Sequence, residues 1–382
     1  MMKKIARKIH LCVGMVSAVP VFIVCLTGAL YVFKDEAEDL AQPWRFTEPS
    51  AAPVLLPSTV MKQAEKAIEG GTVHALTYGE PADALRVDGT DSQGNFFSLW
   101  LNPYDGTVQK AVRADERSFD FFRFLMDGHR RLWLPRAIGR PVVGTCVLLF
   151  ALALVTGLAL WWPRSWNRQA FRRLFGVKRK AGSRRLVFDL HQVVGMYAAL
   201  VLLLLAGTGL VWSFEWYSKG LYRLTGGKEL KPYKLPQSKL PAPAGNASFP
   251  VDELYRRVRA ASPEAKEFYF VIPREPGDVC RVSVVHRRDS YYRTDNLFFD
   301  RYTLEELPGE GPYAGRYREA SFPDRIRRMN LEIHDGRIGG LPGKILVFLA
   351  ALTGASLPVT GWILWARKRT GRKANKGRTA NV

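Results

Sequence analysis

The chain has 382 residues, 47% of them hydrophobic and 24% charged, and a formal net charge of +21. That average hides four stretches of about 20 residues that are almost free of charge, which is the length of a helix that crosses a bilayer core. The pattern argues against a soluble protein. Membrane topology also accounts for the positive charge, so nucleic-acid binding is not needed to explain it.

Four membrane spans are predicted, and most of them end in Trp with Arg or Lys close by. They cover residues 11–33, 141–162, 193–212 and 345–365. The basic segments 1–10, 163–187 and 366–382 hold 20 of the 56 lysines and arginines and no acidic residue. Because short basic loops stay in the cytoplasm, both termini and the middle loop are expected inside, and two nearly neutral segments outside.

The first apolar run is too long for the core of a signal peptide, so an uncleaved span is expected. The four cysteines, Cys12, Cys25, Cys146 and Cys280, form neither a C-x-x-C pair nor a C-x-x-C-H haem attachment. They are interpreted as packing residues. The tryptophans at the span ends are interpreted as an interfacial belt.

These patterns predict alternating cytoplasmic, spanning and external segments. The predicted order is a cytoplasmic arm with span 1 (1–34), external domain 1 (35–128), span 2 with its interfacial segment (129–163), a basic loop (164–187), span 3 (188–216), external domain 2 (217–332), span 4 with its interfacial segment (333–366) and a basic tail (367–382).

The chain repeats itself. Aligning His10 with His191 also aligns Gly14 with Gly195, Met15 with Met196, Thr27 with Thr208 and Gly28 with Gly209. The even spans match too, because "VTGLALWWPR" (155–164) resembles "VTGWILWARKR" (359–369), and His129 and His334 precede these motifs by nearly equal distances. The sequence therefore contains two copies of span, external segment and span.

The external segments correspond as well. In the first, residues 61–69 are predicted as a helix and 96–109 as two strands around "NPYDG", in which Pro presets the bend and Asp-Gly tolerates the reversal. In the second, 251–261 is the predicted helix, and 280–288 and 295–307 are the predicted strands, with a turn at 300–304. A Pro-rich linker, 234–250, leads into this copy.

A helix followed by strands with an N-P-Y-D-G turn is similar to a PepSY domain. Two such domains between four spans with histidines near the span ends resemble the PepSY-associated transmembrane proteins, over almost the whole chain. The second copy departs from the turn pattern, with Arg301 for Pro and Leu304 for Gly. Members of that family include inner-membrane haem proteins of the ferrioxamine reductase type, which reduce ferric siderophores.

The resemblance implies an α-helical four-span bundle with two periplasmic α+β PepSY-like domains and two non-covalent haem b groups. The repeat brings His10 and His191 together on the cytoplasmic side, and His129 and His334 on the outer side. Each pair can then supply two axial nitrogens to one haem iron. Electrons would pass from a quinol or a separate reductase to a ferric siderophore, expected to be of the hydroxamate type, and Fe(II) would be released during iron uptake.

Helical phase gives a further expectation. At about 100° per residue, Gly14 and Gly28 share a face with His10, and Gly195 and Gly209 share a face with His191. These glycines are interpreted as room for a flat porphyrin, with simple helix–helix contact as the alternative. Met15 and Met196 point about 140° away from the histidines and are not expected to be ligands.

Other interpretations remain open at this point. The histidines could lie among lipid headgroups or bind zinc, although no Cys or carboxylate partner recurs beside them. The external aromatic residues could contact a chelate or form the faces of their own domains, and His74 and His286 are expected to be surface or hydrogen-bonded residues. No dinucleotide or P-loop motif supplies an electron donor. The alternative functions are a non-redox protein that modulates a protease or partner, and an iron-chelate permease.

Overall fold

The computed structural model describes residues 1–68, 70–113, 119–163, 165–178, 182–239, 249–288 and 290–379. Parts of the predicted basic loop and most of the Pro-rich linker lie outside the described residues. Two compact units form from interleaved parts of the chain. The helical unit comprises Met1–Lys34, Asp120–Leu221 and Ile333–Val382, and the sheet unit comprises Asp35–Phe119 and Tyr222–Glu332.

The elements follow one another in an order that repeats the pattern of helices and strands. The α-helices are α1 (Met2–Val16), α2 (Ala18–Tyr31), α3 (Lys34–Ala41), α4 (Pro57–Ala67), α5 (Phe121–Arg131), α6 (Arg136–Trp161), α7 (Arg168–Phe175), α8 (Ser183–Asp189), α9 (Gly195–Ser213), α10 (Glu215–Leu224), α11 (Val251–Ala261), α12 (Phe322–Asp335) and α13 (Gly340–Thr379). The strands are β1 (Thr72–Tyr78), β2 (Leu85–Thr90), β3 (Phe96–Leu101), β4 (Val108–Arg113), β5 (Glu267–Val271), β6 (Val279–Val285), β7 (Asp295–Asp300) and β8 (Glu306–Leu307).

The helical unit belongs to a membrane protein. Within the described residues, three helical stretches are long and apolar enough to cross a bilayer, namely Arg136–Trp161, Ser183–Ser213 and Arg337–Lys368. Helices α1 and α2 together pass the same test, but they are bent by 66° at Ser17. Pro20, in the first turn of α2, has no N–H to donate to the Val16 carbonyl, which accounts for a break at this place.

The sheet unit contains one antiparallel sheet of eight strands in the order β4-β3-β2-β1-β5-β6-β7-β8. Each external segment contributes a four-stranded meander, and the two meanders join where β1 pairs with β5. Helices α4 and α11 pack with one face of this sheet in a single core that includes Val60, Leu254, Leu76 and Phe270. The two domains predicted from the sequence therefore share one sheet and one core.

The local predictions for the external segments are largely met. Helix α11 has the predicted bounds, α4 begins four residues earlier than expected, and the strands around "NPYDG" are formed. Gly106 closes this turn with a φ of 77°. Leu304 closes the corresponding turn in the second copy with a φ of 56°, although leucine rarely adopts this left-handed conformation. The departure from the family pattern therefore leaves the turn in place.

Candidate functional site: two histidine pairs

The four histidines near the span ends meet in two pairs within the helical unit. The first pair is His10 and His191, whose ring centroids lie 6.2 Å apart. The second pair is His129 and His334, at 6.0 Å. The predicted pairing is thus what the fold brings together, and each pair takes one histidine from each copy of the repeat.

Each ring of the first pair rests on a glycine of a neighbouring helix. An ideal Cβ on Gly157 of α6 would lie 3.2 Å from His10 Cε1, and one on Gly361 of α13 would lie 3.4 Å from His191 Cε1. His10 Nδ1 is 2.9 Å from the Ala153 carbonyl oxygen. Because glycine has no side chain, the ring can approach the helix closely enough to reach a backbone carbonyl.

The second pair is seated in the same way. An ideal Cβ on Gly28 of α2 would lie 3.0 Å from His129 Cε1, and one on Gly209 of α9 would lie 3.3 Å from His334 Cε1. His129 Nδ1 is 2.9 Å from the Val24 carbonyl oxygen. In both seats, for His10 and for His129, the carbonyl belongs to the residue four positions before the glycine.

We call the glycine and the oxygen atoms that contact each histidine ring its seat. Threonine hydroxyls belong to three of the four seats. His10 Nδ1 lies 3.3 Å from Thr156 Oγ1, His191 Nδ1 lies 2.8 Å from Thr360 Oγ1, and His334 Nδ1 lies 2.8 Å from Thr208 Oγ1. Each hydroxyl already donates its single hydrogen to a carbonyl one turn earlier in its own helix. The threonine oxygens therefore act as acceptors towards the imidazoles.

This hydrogen bonding fixes the tautomer of all four rings. A carbonyl oxygen and an already donating hydroxyl can only accept, so Nδ1 carries the hydrogen in each neutral imidazole and Nε2 keeps its lone pair. Within the described residues, Nε2 of these four rings has no hydrogen-bond partner. A histidine that donates from one nitrogen to a fixed oxygen and leaves the other open is the form that binds metals.

The spacing of each pair fits a metal centre with two axial imidazoles. With metal–nitrogen bonds of about 2 Å and ring nitrogens about 1 Å from their centroids, two such ligands on opposite sides of one ion place their centroids about 6 Å apart. Both pairs are close to this value. No group of three or more His, Cys, Asp or Glu that could hold a metal ion is found among the described residues.

The comparison with protein families supports a membrane protein. The model of the PepSY-associated TM region matches residues 7–368. The chain belongs to this family. Among curated proteins, none matches it.

In this PepSY-associated chain, an apolar layer separates the levels of the two pairs. It contains Phe150 and Leu154 of α6 and Ala198, Ala199 and Leu202 of α9, all of them buried. His191 and Gly209, which seats His334, are 18 residues apart on one run of helix, or about 27 Å at 1.5 Å per residue. The two pairs thus mark two separate levels of the helical unit, with buried apolar side chains between them.

The helix around His191 is locally irregular. Residues Leu190–Val194 form a π-helix between α8 and α9. Such turns are rare, and they occur often at functional sites. At the other level, Trp212 contacts the His334 ring edge-on, with centroids 5.4 Å apart.

The glycines predicted to lie beside the porphyrin have other neighbours. The 66° bend places Gly14 and Gly28 on different helices, so the prediction that both share a face with His10 is wrong. Gly28 and Gly209 lie against His129 and His334 instead. An ideal Cβ on Gly195 would meet Leu357 at 2.9 Å, so Gly195 lies at a close contact between two helices. An ideal Cβ on Gly14 would have nothing within 4 Å.

Sequence reasoning missed the residues that seat the rings, although their signal was present. Each predicted span contains a Thr-Gly step at 27–28, 156–157, 208–209 or 360–361. The first and third spans begin near a histidine and carry Thr-Gly near their ends, and antiparallel neighbours bring the start of one span beside the end of the next. The correct inference was that each histidine meets the Thr-Gly step of its neighbour rather than a glycine of its own helix.

The two remaining histidines lie in the sheet unit and have the ordinary partners expected of them. His74 Nε2 is 3.0 Å from Thr90 Oγ1 and 3.2 Å from an Arg274 nitrogen. Burial and the neighbouring Arg274 lower the pKa of His74 below its usual value. His286 Nε2 is 2.8 Å from Asp295 Oδ2.

Proposed function

We propose that this chain is a haem-dependent oxidoreductase of the bacterial inner membrane. It would pass electrons across the membrane to ferric iron held by a periplasmic siderophore, and so release Fe(II) during iron uptake. The observation that carries the proposal is the pair of facing imidazoles at each of two levels, every one of them with Nδ1 engaged and Nε2 open. His10 and His191 would hold one haem b, and His129 and His334 a second.

The residues of the chain would divide the work as follows. The four Nε2 atoms would hold the iron, while the bonds from Nδ1 to fixed oxygens orient the rings and would raise their basicity as ligands. The buried apolar layer excludes water between the two levels. Bound haem would supply one-electron redox chemistry.

The net reaction is balanced with a two-electron donor outside this chain. One quinol gives up two electrons and two protons, and two ferric chelates each take up one electron to become ferrous. Hydroxamate-type oxygen ligands are hard and hold Fe(III) far better than Fe(II), so each reduction loosens the complex. A separate reductase could replace the quinol without changing the outer half of the reaction.

The proposed orientation has four spans with both termini in the cytoplasm. It is supported by the basic segments in the first half of α1, between α6 and α9, and after the apolar part of α13. Fluorescent protein fused to Val382 should fluoresce, and alkaline phosphatase inserted at 240–248 should be active. An inactive phosphatase at that position would contradict the proposed orientation and indicate the opposite one.

The visible spectrum of purified protein, oxidised and then reduced with dithionite, tests the cofactor. We expect a Soret band and sharpened bands on reduction. Each single variant, His10→Ala, His191→Ala, His129→Ala or His334→Ala, should lose about half of the haem. The matched controls His74→Ala and His286→Ala should lose none.

Full haem content in all four ligand variants would refute the assignment of the ligands. A protein without a Soret band, purified from haem-replete cells, would refute the reductase proposal and favour a non-redox role or a permease.

A further inference from the structure

Three arginines of the helical unit lie close together, and we call them the arginine cluster. They are Arg130, in the last turn of α5, and Arg136 and Arg140, in the first two turns of α6. Arg140 lies near enough to the other two to be repelled by both. Asp127 is paired with Arg131, at 2.6 Å. Within the described residues, none of the three guanidiniums of the cluster forms an ion pair or a hydrogen bond, so their N–H groups are free to donate.

The packing of α6 places Arg140 between the ends of two other helices. Gly139, the residue before Arg140, lies against the Arg131 carbonyl at the end of α5. One turn after Arg140, an ideal Cβ on Gly144 would lie 2.7 Å from the Ser213 Cβ, at the end of α9. Because glycine has no side chain, α6 approaches both helices closely here, and the arginine cluster lies where the three helices meet.

These helix ends carry residues of the second histidine pair. His129 lies in the last turn of α5, directly before Arg130. On α9, Gly209 lies against the His334 ring, and Trp212 contacts the same ring edge-on. The arginine cluster is therefore at the level of the second pair, within the same helical unit.

The connection between α5 and α6 holds the arginines in place. Leu132 and Trp133 have φ values of 54° and 57°, a left-handed conformation that is uncommon for residues other than glycine. The Trp133 ring stacks on Phe124 with centroids 4.8 Å apart, and its Nε1 donates to the Phe124 carbonyl oxygen at 2.9 Å. Strained backbone persists where surrounding contacts fix it, and it is common at functional sites. This turn brings Arg136 back beside Arg130.

Positive charge concentrated in this way is unfavourable without a counterion. Arg136 and Arg140 are four residues apart on one helix, where like charges repel each other. Arg136 also lies in the first turn of α6, where the helix dipole disfavours a cation. In the proposed orientation the cluster is on the outer side, so the preference of basic segments for the cytoplasm does not explain it. An anion bound between the three guanidiniums would relieve the repulsion.

We propose that the arginine cluster binds the carboxylates of the haem held by His129 and His334. Haem b has two propionate groups on one edge of the porphyrin, and a guanidinium can bind a carboxylate through two parallel hydrogen bonds. The inference rests on the proposed function for the presence of haem. It adds charged residues to a cofactor site for which the sequence predicted only histidines and glycines. A phospholipid headgroup offers similar anionic oxygens, so its effect is measured separately.

The rate at which haem is released to an excess of a haem-scavenging apoprotein tests this assignment. His10→Ala with His191→Ala serves as the background, because only the second pair then holds haem. In that background, full-length protein with Arg136→Gln and Arg140→Gln, in detergent, should release haem about tenfold faster or more, because charge-assisted contacts are lost. Arg123→Gln, about two turns earlier in α5 than the cluster, is the control and should release haem at the background rate. An unchanged rate in the glutamine variant would overturn the proposal.

Haem dimethyl ester, in which both propionates are blocked, identifies the group that the arginines bind. Protein from haem-deficient cells is loaded with haem or with the ester, and the release of the two cofactors is compared. The glutamine substitutions should speed the release of haem but not of the ester, because the ester offers no carboxylate. Equal acceleration of both would mean that the arginines act on the fold rather than on the propionates, and would contradict the proposal.

A milder substitution covers the case in which the glutamine variant does not fold. Arg140→Lys keeps the charge but loses the planar fork, and should release haem faster than the background by a smaller factor. Release at the background rate would then count against the arginine cluster as the propionate site.

Phosphatidylglycerol added to the detergent separates lipid from haem. Binding of its headgroup by the cluster would raise the melting temperature of the ester-loaded protein, and the glutamine substitutions would abolish the increase. That result, together with unchanged haem release, would assign the cluster to lipid and overturn the proposal.

The outcome is separable from that of the proposed function. Wild-type protein without a Soret band would refute both. Haem-containing protein whose release rate does not depend on the arginines would retain the reductase and refute only the role of the cluster.

Discussion

At the scale of single residues, the candidate site depends on glycines that touch imidazole rings. An alanine on a helix normally gains about 0.5–1 kcal/mol over glycine. The distances from an ideal Cβ to the nearest ring carbon are 3.0 Å at Gly28, 3.2 Å at Gly157, 3.3 Å at Gly209 and 3.4 Å at Gly361. Real side chains seldom make contacts this short, so the ring must shift to admit the new methyl group.

We therefore expect a graded effect of Gly→Ala on thermal stability. Gly220→Ala in α10, where an ideal Cβ has nothing within 4 Å, should raise the melting temperature and serves as the control. Gly28→Ala should lower the melting temperature, and Gly361→Ala should change it least among the four seats. A Gly28→Ala variant as stable as Gly220→Ala would show that the His129 ring is not seated there.

Asp300 supports a second residue-scale prediction, in the sheet unit. Its buried carboxylate accepts hydrogen bonds from the backbone N–H groups of Lys239, Tyr302 and Thr303. Burial alone would raise its pKa, but these donors hold the pKa below the ordinary value. Asp300→Asn should cost about 1–3 kcal/mol at pH 7, because buried donors lose a charged acceptor.

The pH dependence of this effect has a defined sign. A carboxyl group with a depressed folded pKa stabilises the fold fully above its unfolded pKa of about 3.9, and this contribution is lost as the pH falls through the folded pKa. Denaturant unfolding of wild type and Asp300→Asn should therefore differ at pH 7 and converge in strong acid. Asp105→Asn, at the exposed turn of the first copy, should have a smaller effect, and an equal one would argue against burial as the cause.

At the scale of elements, the sequence predicted where most helices and strands lie along the chain, but few of the contacts between them. Hydrophobic length located the apolar helices, and turn chemistry at 102–106 located β3 and β4. The bend at Ser17 was not predicted from the sequence, because a proline early in an apolar run does not interrupt its hydrophobic pattern. The continuous sheet was not predicted either. Strands β1 and β5 pair although their residues are nearly 200 positions apart, and nothing in the sequence of either strand indicates which strand it pairs with.

A contact between the two copies of the helix–strand unit gives an element-scale prediction. The Asp252 carboxylate of α11 accepts hydrogen bonds from the backbone N–H of Ser58, at 2.8 Å, and from its hydroxyl, at 2.6 Å. Ser58 lies in the first turn of α4, where backbone N–H groups lack helical acceptors. Asp252 therefore caps a helix of the other copy.

Asp252→Ala should destabilise the protein by about 1 kcal/mol, within the range for lost caps. A double-mutant cycle with Ser58→Ala, measured by denaturant unfolding, should give a coupling energy of about 1 kcal/mol. Glu253→Ala, at the exposed neighbouring position, is the control and should have little effect. Additive effects of Asp252→Ala and Ser58→Ala would mean that the contact does not link the two copies.

At the scale of the whole molecule, neither copy of the repeat completes a unit alone. Each histidine pair draws one ring from each copy, and the sheet is continuous only through the β1–β5 junction. Duplication of a span–segment–span unit has therefore produced two equivalent pairs at two levels. Under the proposed function, each pair would serve one side of the membrane.

Removing one histidine pair at a time tests whether both pairs are needed for electron transfer. The variants are placed in liposomes with a reductant enclosed and a ferric chelate outside. His10→Ala with His191→Ala, and His129→Ala with His334→Ala, should each keep about half of the haem and its reduction by dithionite. Neither should reduce external iron, because about 27 Å then separates the remaining pair from the far level. His74→Ala with His286→Ala should transfer electrons at the wild-type rate. Wild-type transfer by either pair-deleted variant would mean that one level suffices and that the two pairs do not act in series.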